Sequence, residues 1–128
     1  MKKQDLMIGD YLYDEFGNAC VVRYLSDVIT LENLEGPNAG EMILGTEFEG
    51  IPLTPLLLLR NGYKVNGAIF RRDDAESLIR WRDNNFLFSL YRKHDDLPSE
   101  NIAIIVRYVH ELQHALKMCG IDHPIVEL

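Results

Sequence analysis

His110-Glu111-Leu112-Gln113-His114 spells H-E-x-x-H, the one string in the chain whose residue types and spacing look catalytic. Zinc hydrolases use this pattern because histidines four apart lie on one helical face, about a turn apart, with the glutamate as general base. Built here, such a site would take His110 and His114 as ligands, Glu111 as base and His123 as third ligand; Glu127 and His94 are further geometric possibilities. The surrounding residues argue against it. Ile105, Val109, Leu112, Leu116 and Cys119, flanked by Tyr108 and Ala115, recur at helical spacing and form an apolar stripe centred on Leu112. At about 100° per residue, His110 and His114 lie roughly 160° from Leu112, on the outer face. Arg107 and Lys117 share that outer face, and two cations beside two imidazoles disfavour a divalent metal. The longer zinc-protease pattern needs glycine at position 117 and histidine at position 120, where this chain has Lys117 and Gly120. Composition alone yields such a string in roughly one chain in a hundred of this make-up. The pentapeptide therefore reads as a solvated helix face, with no catalytic residue, metal or cofactor assigned. A zinc hydrolase is the alternative.

A second cluster is basic. Arg71, Arg72, Arg80, Arg82, Arg92 and Lys93 surround Trp81, the kind of cation-plus-aromatic face that single-strand nucleic-acid binders use. Alternation along a strand gives the plainer expectation: Arg80 and Arg82 point to solvent, and Trp81 turns inward against the closing helix. Asp73-Asp74 and Asp95-Asp96 read as solvated turn carboxylates without the spacing of a calcium loop. Neither a glycine-rich phosphate loop nor a G-x-S-x-G elbow occurs.

The elements that would position these groups can be read from periodicity and turn residues. Residues 10–14 and 19–25 are rich in aromatic and β-branched residues, and Glu15-Phe16-Gly17-Asn18 between them suits a tight turn. Residues 28–34 alternate by two, Gly36-Pro37-Asn38-Ala39-Gly40 is a loop, and residues 41–49 predict one further strand with Met42, Leu44 and Phe48 as apolar members. Thr54 as cap, Pro55 at the first helical position and Gly62 after the last turn mark a short helix. Leu56 to Leu59 make it apolar nearly all round, so burial on most sides is expected. Residues 63–72 predict a hairpin around Asn66-Gly67 or a bulged strand. Residues 77–82 and 86–91 predict strands joined by Asp83-Asn84-Asn85. Ile102 to Val106 fits either a buried strand or an early start to the last helix. The expected fold is α+β: an N-terminal small curled β-sheet or barrel, a short linking helix, an antiparallel β-meander and a C-terminal helix packed on it. The division is a β-rich part over 1–52 and an α-β-β-β-α part over 53–128, together one compact unit.

Composition bounds the function. The 128 residues are 47% hydrophobic and 26% charged, as in ordinary globular domains. Net charge is −7, split as −6 over residues 1–62 and −1 over 63–128. An acidic first half repels phosphate backbones, so nucleic-acid binding is disfavoured there. Lys2 and Lys3 are followed by no apolar secretory core, because Asp5, Gly9 and Asp10 interrupt it. The longest apolar runs are too short to span a bilayer. Cys20 and Cys119 lie far apart and outside any C-x-x-C pair, which suits reduced, buried thiols in a cytoplasmic protein.

Three stretches carry a resemblance: Ile8-Gly9-Asp10-Tyr11-Leu12; Ile51-Pro52-Leu53-Thr54-Pro55 leading to Asn61-Gly62-Tyr63; and Arg107-Tyr108-Val109-His110-Glu111-Leu112-Gln113-His114. In this order and spacing the chain resembles a family of short uncharacterised Bacteroidetes proteins found in prophage and mobile-element contexts. That family brings no activity, cofactor or catalytic residue to carry over. Its members commonly read His-x-Leu-Gln-Asn in the last helix, which implies that the H-E-x-x-H string arises in this member by two ordinary substitutions, at Glu111 and His114. The resemblance implies a shared structural role for Tyr108, His110 and Gln113, with His110 at the edge of a contact rather than in open solvent. The expected function is that of a non-enzymatic accessory or interaction protein of a bacterial cytoplasm. Its acidic N-terminal sheet, or the loop Glu35 to Glu41, would meet an electropositive protein partner.

Overall fold

The computed structural model describes residues 5–45, 47–72, 77–91, 98–118, 120 and 127–128. They form an α+β fold of two antiparallel five-stranded sheets and two helices. The chain divides into two compact units, residues 1–52 with Tyr108–His110, and residues 53–107 with 111–128.

The first unit holds β1 (Tyr11–Asp14), β2 (Ala19–Leu25), β3 (Ile29–Asn33), β4 (Met42–Gly45) and β5 (Phe48–Gly50), in the order β4-β3-β2-β1-β5. Chain length forces this sheet to curl. β4 and β5 are its two edges, yet only residues 46 and 47 separate them, a reach of about 11 Å at most. Five flat strands would set their edges roughly 19 Å apart. Where one strand was expected over 41–49, there are thus two, at opposite edges of a half-barrel. Its interior is filled by Leu6, Leu12, Cys20, Val22, Ile29 and Leu31, with Leu25, Ile43 and Phe48 packed against them. Turn chemistry follows the sequence. Gly17 takes φ +80°, and the buried Asp14 carboxylate accepts from the amides of Phe16 (2.9 Å) and Asn18 (2.8 Å).

The second unit begins with α1 (Pro55–Arg60). Thr54 caps it by accepting from the Leu57 amide at 3.2 Å. Gly62, at φ +87°, closes a Schellman motif: its amide donates to Leu59 O at 3.3 Å, and that of Tyr63 donates to Leu58 O at 3.1 Å. Leu57 and Leu58 are buried, but Leu56 is 58% exposed and Leu59 nearly half exposed. Burial of this helix on most sides, expected from its composition, is therefore corrected. A six-residue helix turns only two of its four leucines inward, and the tight cap fixes which two.

The second sheet runs β10-β9-β8-β7-β6, from β6 (Lys64–Asn66), β7 (Ile69–Arg71), β8 (Ser77–Arg82), β9 (Asn85–Tyr91) and β10 (Pro98–Val106). Gly67 at φ +63° turns the β6–β7 hairpin, and Asp83 and Asn84 at φ 52° and 61° form the two-residue β8–β9 turn. β10 settles the ambiguity over residues 102–106 in favour of a strand. It is an edge strand, and of its last three residues Ile104 and Ile105 remain half exposed while Val106 is buried; Ile105 does not join the helical stripe. The last helix, α2 (Val109–Met118), buries Val109, Leu112, Ala115 and Leu116, the stripe read from the sequence.

Asn61 provides an anchor that the sequence does not announce. Its side chain donates to Leu57 O (2.9 Å) and Glu127 O (2.7 Å) and accepts from the Glu127 amide (3.0 Å), so it pairs with that backbone as a strand neighbour would. Asp73-Asp74, Arg92, Lys93, His94, Asp95-Asp96, Cys119 and His123, singled out from the sequence, lie outside the described residues.

Candidate functional site

Three elements build the start of α2. Pro52 and Tyr108 form an antiparallel bridge, and the Val109 amide donates to Ile51 O at 2.8 Å. This satisfies one of the helix's first N–H groups, which have no partner inside the helix. Tyr108 then lies flat beside His110, ring centroids 5.8 Å apart and planes 15° from parallel. On its other side is β5: a Cβ added at Gly50 would stand 2.6 Å from Tyr108 Cγ and Cδ1. Glycine is thus required by close approach, since Gly50 has an ordinary φ.

His110 is 5% exposed, a correction to the solvated outer face expected from the helical wheel. A wheel describes only the stripe a helix buries along its length. His110 is the second helical residue, and the Tyr108 ring stacks on it. Glu111, the base of any zinc reading, accepts the Arg107 amide at 2.8 Å through Oε1. That bond is a local variant of the capping box, in which an acidic side chain one turn in satisfies a backbone N–H just before the helix. His114 is half-buried and Lys117 exposed. Among the described residues, no group of three His, Cys, Asp or Glu side chains is placed to hold a metal ion. The string thus has two of its residues in structural use: one caps the helix, and one packs on an aromatic ring.

The basic cluster divides between the faces of the second sheet. Register places Lys64, Arg71, Arg80 and Arg82 on one face, because directly opposed residues share a face. Trp81 falls on the other, with Phe86 (centroids 4.6 Å) and Ile79. The expected inward turn of Trp81 against the closing helix is corrected. At the strand end beside the Asp83-Asn84 turn it stays 40% exposed. Arg72 leaves the cluster entirely: it is buried, with its guanidinium 5.1 Å from the centre of the Tyr63 ring. Cations and stacking aromatic therefore do not share the surface that a single strand would need. A groove of about 300 Å³ lined by Lys64, Val65, Asn66, Ile69 and Arg71 lies on the β6–β7 hairpin.

The acidic sheet is more distinctive. Residues 1–52 hold three Lys/Arg against ten Asp/Glu, a net of −7, while residues 53–128 hold ten against ten. The whole net charge sits on one unit, which the halving at residue 62 understates. Some of these carboxylates are occupied internally. Asp10 accepts the Met7 amide at 2.8 Å, Asp14 holds its turn, and Glu35 accepts the Ala19 amide at 3.0 Å. Glu32 pairs with Arg23 at 3.1 Å. Glu41, Glu47 and Glu49, by contrast, are exposed around β4 and β5. Cys20 belongs to β2 and is buried in the interior of this sheet. Burial, and then the Asp14 carboxylate, push its thiol up to about 11, so it is no nucleophile at neutral pH.

No helix among the described residues is long and apolar enough to cross a membrane. Compared with protein-family models, with curated proteins and with solved structures, the chain finds no match.

Proposed function

We propose that this chain is a non-enzymatic interaction protein whose acidic N-terminal sheet recognises an electropositive protein partner. One observation carries the proposal: the entire net charge of −7 falls within residues 1–52, and Glu41, Glu47 and Glu49 stand exposed where β4 and β5 begin and end. A one-signed surface beside a neutral remainder steers oppositely charged partners and repels nucleic acid. Glu35 is tied to the Ala19 amide, so the recognition surface centres on 41–49 more than on the start of the 35–41 loop. The proposal sets the protein in a bacterial cytoplasm, in a prophage or mobile-element context, as the sequence resemblance implies.

The test is cross-linking in the native host, comparing the natural chain with a Glu41→Lys/Glu47→Lys/Glu49→Lys variant. Each captured protein is then purified and titrated against both chains by calorimetry. A basic partner whose affinity falls at least tenfold in the variant, and again on raising salt from 50 to 500 mM, supports the proposal. Partners that bind both chains alike overturn it.

A further inference from the structure

We propose that the free edge of β4 is a strand-addition site for an extended, lysine- or arginine-rich segment of a protein partner. This rests on the interaction reading above and names its docking mode and ligand class. The hydrogen-bond phase of the β3–β4 ladder comes first. The Asn33 amide donates to Glu41 O at 2.9 Å, so Asn33 and Glu41 are a bonded pair. Bonded and non-bonded pairs alternate along an antiparallel ladder. Leu31 with Ile43 and Ile29 with Gly45 are therefore bonded, and Thr30 with Leu44 and Glu32 with Met42 are not. The amides and carbonyls of Met42 and Leu44 consequently point away from β3, toward the open side of the sheet.

The side chains on that edge suit a docked strand. Met42 is 50% exposed and Leu44 66%. Register sets Leu44 in a row with Thr30 and the exposed Tyr24, and Met42 in a row with Glu32. Exposed edge strands are commonly blunted by a lysine, a proline or an inward-pointing charge. Met42-Ile43-Leu44-Gly45 contains none of these. The opposite edge differs, because β5 runs on into the segment bridged by Tyr108. The segment that follows β5 is thus paired within the chain, whereas among the described residues no strand pairs with the outer edge of β4, which presents backbone and apolar side chains.

Charge selects the occupant. Glu41 precedes β4, Glu47 follows it, and both are exposed on a unit of net −7. A second copy of this chain would bring the same charge to the contact and be repelled, whereas a cationic strand gains at every approach. Main-chain bonds at Met42 and Leu44 would supply alignment, apolar contacts with Met42, Leu44 and Tyr24 the hold, and flanking cations the selectivity.

The experiment titrates the ¹⁵N-labelled full chain with a ten-residue peptide alternating lysine and valine. A glutamate–valine peptide and a lysine–valine peptide with a central proline serve as comparators. The expected result is slowed exchange of the Met42 and Leu44 amides with the first peptide only, and affinity at least tenfold weaker at 500 than at 50 mM salt. Met42→Pro removes one edge amide that faces solvent, and Leu44→Lys places a cation on the edge. Each should weaken binding at least tenfold while the circular dichroism spectrum stays unchanged; if one variant misfolds, the other and the amide map decide. Absent binding, binding that maps elsewhere, or equal binding of the proline peptide overturns the inference. So does concentration-dependent protection of Met42 and Leu44 without peptide, which would mean a second copy. A host partner that binds through Glu41, Glu47 and Glu49 but ignores the Met42 and Leu44 variants would sink the strand-addition site and leave the interaction reading standing.

Discussion

Gly50→Ala isolates the close approach of the Tyr108 ring to β5. The new methyl carbon would sit 2.6 Å from Tyr108 Cγ and Cδ1 and 3.1 Å from its Cβ, roughly 1 Å inside ordinary carbon–carbon contact. The ring cannot retreat cheaply: it packs against His110, and its backbone is held by the Pro52 bridge and the Val109–Ile51 hydrogen bond. Overpacking of this kind costs about 1–3 kcal/mol, and loss of the ring stack adds about 1 kcal/mol. Taking about 3 kcal/mol overall, and an unfolding entropy for 128 residues of roughly 0.27 kcal/mol/K, the melting temperature should drop by about 10 °C. Without the clash, glycine to alanine would instead stabilise by about 0.4–1 kcal/mol through the unfolded state, so even the sign is informative. Thermal denaturation of a double-mutant cycle with Tyr108→Ala is the assay. Gly50→Ala should cost under about 0.5 kcal/mol once the ring is gone. An unchanged melting temperature in the single variant, or an equal loss in both backgrounds, would refute that approach.

Asn61→Ala removes three hydrogen bonds, two of them to the Glu127 backbone. It should cost about 2–3 kcal/mol in urea denaturation and speed exchange of the Glu127 amide; unchanged exchange would contradict the anchor. Glu111→Ala deletes the carboxylate that caps the Arg107 amide and should cost about 1 kcal/mol, most of it recovered by Glu111→Gln. Equal losses in both would point away from a cap. Cys20, with its thiol pushed to about 11 from 9.0, should alkylate at pH 8 about 100-fold more slowly than an unperturbed thiol, read on its own peptide by mass spectrometry. Because the folded value is the raised one, its stabilising contribution is full below pH 9 and is lost as pH climbs toward 11. Denaturation midpoints should accordingly fall further between pH 8 and 10.5 in the natural chain than in Cys20→Ala.

Local signals were legible wherever one residue type decides a backbone conformation. Thr54, Pro55 and Gly62 delimited α1, Gly17 turned the first hairpin, and Asp83-Asn84 turned β8 into β9. The stripe Val109, Leu112, Leu116 was visible because helical spacing and burial coincide there. What the sequence hid depends on distant partners. Nothing near Glu41 reveals that residues 41–49 divide between opposite edges of one sheet; that follows from pairing with β3 on one side and β1 on the other. The buried His110 stacks on Tyr108, whose backbone is bridged to Pro52 some sixty residues earlier, a pairing that no helical wheel contains. Gly50 did offer a signal, an isolated glycine at a strand end, of the kind that marks close approach. Charge was legible but partitioned in the wrong place, since moving the boundary from 62 to 52 gathers the whole −7 on one unit.

The proposal that the chain is non-enzymatic, with His110-Glu111-Leu112-Gln113-His114 serving the fold in place of a zinc site, is tested most directly by metal analysis of protein purified without a histidine tag. Mass spectrometry should find well under one zinc per chain, with the same value in His114→Ala and an unchanged melting temperature in chelator. One equivalent of zinc in the natural chain, lost in His114→Ala, would contradict it.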